Sequence, residues 1–122
     1  MPIFDLAGVL IHTTPDRHAA LRSFYVEALG LTPRSDRAGF VNFELGDRRL
    51  TITLHDRVDG PASDPHRIMV NFEVADIEGT FQRLLEHGAP AIRPPSPEPW
   101  GGLIATSADP DGNIVQLMEL PD

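Results

Sequence analysis

The sequence predicts an α+β fold: two βαβββ modules in tandem, each a curved mixed sheet with one covering helix, together forming a concave pocket. Three observations carry this. A strand pattern, a helix pattern and three further strand patterns occur in that order, twice. Corresponding residues recur at nearly fixed spacing: Phe24 and Phe81 lie 57 apart, and Gly30 and Gly88, which close the two helices, lie 58 apart. Thr53 and Gln116, in the last strands, lie 63 apart, with the difference taken up in loops. Finally, one helix cannot cover both faces of a sheet, so each module leaves a face to be buried or to wrap a cavity.

Leu6 to Thr13 is apolar and β-branched toward its end, as a strand requires. Thr14-Pro15-Asp16 reads as a helix start, with Thr14 as N-cap, Pro15 at the first helical position and Asp16 at the positive end of the dipole. Leu21, Phe24, Tyr25, Ala28 and Leu29 repeat at helical spacing, and Gly30 is placed to end the helix. A short strand is expected at Leu31–Arg34, then Phe40–Leu45, a tight Gly46-Asp47 turn, and Leu50–His55 in alternation. The Pro-, Gly- and Asp-rich run Val58–Pro65 is a connector. The predicted boundaries make one domain of residues 1–122: module one 1–57, connector 58–66 and module two 67–122.

In the second module Ile68–Val74 alternates as a strand, and Asp76 caps a helix carrying Ile77, Phe81, Leu84 and Leu85 on one face. A short strand is expected at Ala91–Arg93, a Pro-rich loop at Pro94–Trp100 and a strand at Leu103–Ala108. The turn Asp109-Pro110-Asp111-Gly112 then leads to Ile114–Leu120.

Composition narrows the chemistry. The 122 residues include no cysteine, which excludes disulfides, thiol nucleophiles and Cys-ligated metals. All ten basic residues are arginine, so Schiff-base chemistry and a Lys-bearing phosphate loop are excluded too. A net charge of −8 repels nucleic acid and anionic membranes. Residues 1–10 carry Asp5 and no basic residue, unlike a secretory signal, and no apolar run approaches a membrane span, so a cytoplasmic protein is expected.

Strand alternation assigns the faces. Leu50, Ile52 and Leu54 go under the first helix, leaving Thr51, Thr53 and His55 inward with Gly8, Leu10 and His12. In the second module Met69, Asn71 and Glu73 face inward, with Ile114, Gln116 and Met118. The expected ligand-binding set is His12, Thr51, Thr53, His55, Met69, Asn71, Trp100 and Gln116. Such a mixture of apolar and placed polar groups suits a small molecule, although the apolar members also fit a plain core. Trp100, the one tryptophan, is placed either to stack on a planar ligand or to plug the gap between the modules. Glu44, Glu73 and Glu119 would lend negative potential to the rim. His18, His66 and His87 read as surface residues.

Three strings resemble the vicinal oxygen chelate superfamily of glyoxalases, bleomycin resistance proteins and extradiol dioxygenases. They are Ser23-Phe24-Tyr25-Val26-Glu27-Ala28-Leu29-Gly30-Leu31, Asn71-Phe72-Glu73-Val74-Ala75-Asp76, and Pro99-Trp100-Gly101-Gly102 followed by Asp109-Pro110-Asp111-Gly112-Asn113. Enzymes of that family hold a divalent metal through the first and last strands of each module. The matching positions here are Gly8, Thr53, Met69 and Gln116, none of them His, Asp or Glu. The resemblance therefore implies the metal-free bleomycin-resistance branch: no cofactor, and a planar or cationic natural product or antibiotic bound in the sheet concavity. The alternative is a lyase, isomerase or dioxygenase of the glyoxalase type, using a shifted divalent metal on His12, His55 and Glu73 or acid–base chemistry at His12 and His55. No catalytic residue is assigned. The family also implies a homodimer.

Overall fold

A computed structural model describes residue 3 and residues 5–122. Among these the chain forms two helices and eight strands, and it divides into two compact units, one ending at Gly60 and the other running from Pro61 to Asp122. Each unit is one βαβββ module with a four-stranded mixed sheet.

In the first module, β1 (Gly8–Thr13), β2 (Ser35–Arg37), β3 (Phe40–Leu45) and β4 (Arg48–Leu54) form a sheet in the order β1-β4-β3-β2. The β1–β4 pair is parallel and the others antiparallel, with Leu10 opposite Thr51 and His12 opposite Thr53. The Gly46-Asp47 turn fixes the β3–β4 register by pairing Leu45 with Arg48, and Gly46 takes φ +62, a left-handed conformation that glycine adopts without strain. Val41, Phe43, Leu50 and Ile52 are all buried, as are Leu21, Tyr25 and Ala28 of the helix. Burying each of the Val, Leu, Ile and Phe side chains among them contributes about 1.5–3 kcal/mol relative to exposure.

The first helix begins later than its sequence signals suggest. Thr14–Arg17 is a turn in which the Thr14 carbonyl accepts from the backbone of Arg17 and His18, and α1 runs His18–Ser23. The Thr14 hydroxyl does not cap it; it donates instead to the Asp16 carboxylate at 2.6 Å. The helix continues as a π-helical segment, Phe24–Ala28, where Leu29 N–H donates to the Phe24 carbonyl, and it ends at Gly30 with φ +79. The expected strand at Leu31–Arg34 lies a few residues further on, as the three-residue edge strand β2.

The second module repeats the plan with β5 (Val70–Glu73), α2 (Ile77–Glu86), β6 (Arg93–Pro97), β7 (Leu103–Ala108) and β8 (Ile114–Glu119), in the sheet order β5-β8-β7-β6. The expected cap is present: Asp76 Oδ1 accepts from Gly79 N–H at 3.1 Å. Ile77, Phe81 and Leu84 are buried on the helix, and Ala105, Val115 and Leu117 on the sheet. The stretch predicted as a Pro-rich loop contains β6. Proline is tolerated there because β6 is an edge strand, and the register shifts between Arg93 and Ser96. Asp109 is buried and organises the last turn: its carboxylate accepts from the backbone of Asp111 and Asn113 and from the Asn113 side chain, at 2.8–3.0 Å. Among the described residues no helix is long and apolar enough to cross a membrane.

Candidate functional site

The register of the first sheet places three rows of side chains on the face opposite α1. Gly8, Arg49 and Glu44 make one row; Leu10, Thr51, Asn42 and Ser35 the next; His12, Thr53, Phe40 and Arg37 the third. His12, Thr51 and Thr53 therefore share one face of the sheet, away from α1, and Thr51 is buried there. His55, one residue past β4, joins them: its ring centroid lies 4.8 Å from that of His12. His55 Nδ1 lies 3.1 Å from the Arg57 backbone N–H and 3.4 Å from the Asp56 carboxylate. Thr53 Oγ1 donates to the Gly39 carbonyl at 3.2 Å.

The middle row holds a residue that the sequence reading passed over. Asn42 is 5% exposed, and its Nδ2 donates to Thr51 Oγ1 at 2.6 Å. Its Oδ1 is buried with no hydrogen-bond partner. In the same row Leu10 is 64% exposed. Exposed apolar surface and an unanswered acceptor thus occupy one row, with Thr51 between them.

The second sheet has an equivalent face away from α2. Asn71 pairs with Gln116, which pairs with Thr106 and through it with Arg93; Glu73 pairs with Met118. Asn71 Nδ2 reaches Met118 Sδ at 4.0 Å. Met69 lies just before β5 and is partly exposed. Trp100 stands at the β6–β7 turn, 48% exposed, with its ring folded over the backbone of Gly102. A Cβ at Gly102 would fall 1.9 Å from the ring.

Two electrostatic expectations are corrected. Glu44 is shared between Arg34 and Arg49 at 3.6 and 3.5 Å, so it adds little negative potential. Glu119 lies on the helix side, where its carboxylate accepts the Ile77 N–H at 2.9 Å and caps α2. His18 is also not a surface residue. It is buried, with Nε2 donating to the Ile52 carbonyl at 2.9 Å. Since a carbonyl only accepts, that nitrogen must carry a proton. His18 lines a groove of about 700 Å³ with Pro15, Ala19, Asp36, Gly39 and Leu54, on the α1 side of the sheet end. Across this groove Arg22 makes a bidentate pair with Asp36, tying α1 to the edge strand β2. The guanidinium holds the Asp36 carboxyl below the usual carboxylate range, first by hydrogen bonding and then by charge.

The arrangement defines a class: tandem βαβββ modules, each with a four-stranded mixed sheet that has one face under a helix and polar side chains on the other. The chain belongs to the glyoxalase/bleomycin resistance protein/dioxygenase superfamily, whose family model matches residues 7–117. Similar solved structures include a glyoxalase-related enzyme from Fulvimarina pelagi (22% identity, 97% of this chain and 89% of that one, TM-score 0.78). Another is a glyoxalase/bleomycin resistance protein/dioxygenase family enzyme from Burkholderia phytofirmans PsJN (18% identity, 95% and 98%, TM-score 0.75). A third is a lactoylglutathione lyase from Agrobacterium tumefaciens (18% identity, 97% and 95%, TM-score 0.71). At these identities the likeness is one of fold. A search of curated protein sequences gives no match.

The family's metal can be tested against the residues present. Gly8, Thr53, Met69 and Gln116 bring neither imidazole nor carboxylate to the four ligand positions. Gly8 could not be replaced by a ligand in place, because a Cβ there would lie 2.1 Å from the Arg49 carbonyl oxygen. Among the described residues no group of three His, Asp or Glu side chains could hold a metal ion. The donor set does not fit a resident divalent cation.

Proposed function

We propose that this protein binds a small planar organic molecule, of natural-product or antibiotic type, on the open face of the first sheet and does so without a metal. The observation that carries the reading is the composition of that face: exposed Leu10 in one row with buried Thr51 and Asn42, His12, Thr53 and His55 next to it, and one polar acceptor left unmatched. The donor set at the family's metal positions supports the second half. The sharing of Glu44 and the placement of Glu119 remove two of the three acids that would have favoured a cationic ligand, so a neutral planar one fits better. In this reading the protein acts by sequestration, like the bleomycin-resistance branch that its sequence resembles, as a cytoplasmic homodimer.

Isothermal titration of planar aromatic natural products, bleomycin among them, tests the reading, in EDTA and again with added nickel, zinc, manganese or iron(II). Saturable binding is expected, unchanged by chelator and weakened in the His12→Ala/His55→Ala double variant. Binding that appears only with metal, or none across the panel, would overturn it. Light scattering checks the dimer, and cell fractionation the location.

A further inference from the structure

We propose that Asn42 orients the ligand on the first sheet, its side-chain carbonyl accepting a hydrogen from a neutral N–H or O–H group of a planar molecule. This rests on the preceding reading that the open face of this sheet is the binding surface.

The amide is fixed at one end and unanswered at the other. Nδ2 is held by Thr51 Oγ1 at 2.6 Å, while Oδ1 is shielded from solvent and has no partner. A buried acceptor left this way is a standing cost, which an arriving donor relieves. Its surroundings on the sheet set the chemistry of that donor. Leu10, beyond Thr51 in the same row, offers exposed apolar surface to an aromatic plane. In the next row the Arg37 guanidinium stacks on the Phe40 ring at 4.1 Å, a positive charge that opposes an ammonium group. On the other side Glu44 is divided between Arg34 and Arg49. With no free carboxylate in these rows, a neutral donor is favoured over a cation. Oδ1 is shielded in this structure, so binding requires that neighbouring side chains move to admit the donor.

The probes are 2-naphthamide, which carries N–H donors, and N,N-dimethyl-2-naphthamide, which does not. Binding is followed by NMR at the backbone amides of Leu10, Asn42 and Thr51 and at the Asn42 side chain. The expected result is shifts at these positions, with the primary amide bound about tenfold more tightly, the value of one hydrogen bond. Asn42→Leu should abolish the difference between probes. Asn42→Asp, which keeps an acceptor, should retain it, and this variant carries the test if the leucine variant does not fold. Equal affinities in the parent protein, a difference that persists in Asn42→Leu, or its loss in a folded Asn42→Asp would each overturn the assignment while leaving the binding face intact. If neither probe shifts the open face up to its solubility limit, the binding reading fails as well.

Discussion

His18 Nε2 donates to the main-chain carbonyl of Ile52 at 2.9 Å, joining the first turn of α1 to the central strand β4 across 34 residues of sequence. The bond fixes which nitrogen carries the proton and ties the helix start to the sheet. Replacing His18 with Ala removes the donor and leaves space beside Ile52. A loss of about 1–3 kcal/mol is expected in urea unfolding, with Asn or Gln restoring part of it if either amide reaches the carbonyl.

The Arg22–Asp36 pair should make stability depend on acid. The Asp36 carboxyl titrates below its ordinary value, so its contribution is present above the unfolded-state value and disappears as pH falls through the folded one. Asp36→Asn should therefore melt below the parent protein at neutral pH. The gap should close in strong acid, and should shrink with added salt. A gap independent of pH would assign the effect to packing.

Gly8 is the residue at the family's first ligand position, and its neighbour is a backbone oxygen. Gly8→His should not create a metal site. It should cost about 1–3 kcal/mol through forced backbone movement, with no thermal stabilisation on adding zinc or nickel.

Asp109 accepts three hydrogen bonds within the β7–β8 turn. Asp109→Ala leaves two backbone N–H groups without their acceptor, and a loss of about 2–4 kcal/mol is expected by chemical denaturation. Asp109→Asn, which keeps one acceptor oxygen, should lose less.

Gly102 lies under the Trp100 ring and close to the Glu119 carbonyl oxygen. Gly102→Ala should push the indole outward, seen as a red-shifted and more quenchable tryptophan emission. An unchanged spectrum would show that the ring does not rest on that backbone.

The two-module plan was legible because alternation and helical spacing repeat, and because a two-residue turn leaves only one register for β3 and β4. That register also places His12, Thr51 and Thr53 on one face. What escaped the reading has physical causes. Pro15 and Asp16 look like a helix start, yet the Thr14 carbonyl closes a turn first and the helix begins at His18. Three prolines argue against a strand at residues 93–97, and only the edge position, invisible in one sequence, makes it allowed. His18 reads as polar and therefore outward, although its spacing of three and seven from Leu21 and Tyr25 puts it on the buried side. Asn42 carried a signal as well. It alternates with Val41 and Phe43, and the turn register sets it opposite Thr51, but nothing local tells that half its amide goes unmatched.

The prolines of β6 bear on how the molecule behaves in a crowded solution. Pro94, Pro95 and Pro97 have no amide hydrogen, so this border of the second sheet cannot template a further strand. On the first sheet the border strand β2 spans only three residues, too few to hold an incoming segment. Each module thus has one border blunted against fibre-like growth, and β1 and β5 are left as the borders with a regular run of backbone donors. Removing the prolines would restore amide donors along that border and open it to pairing with a further strand.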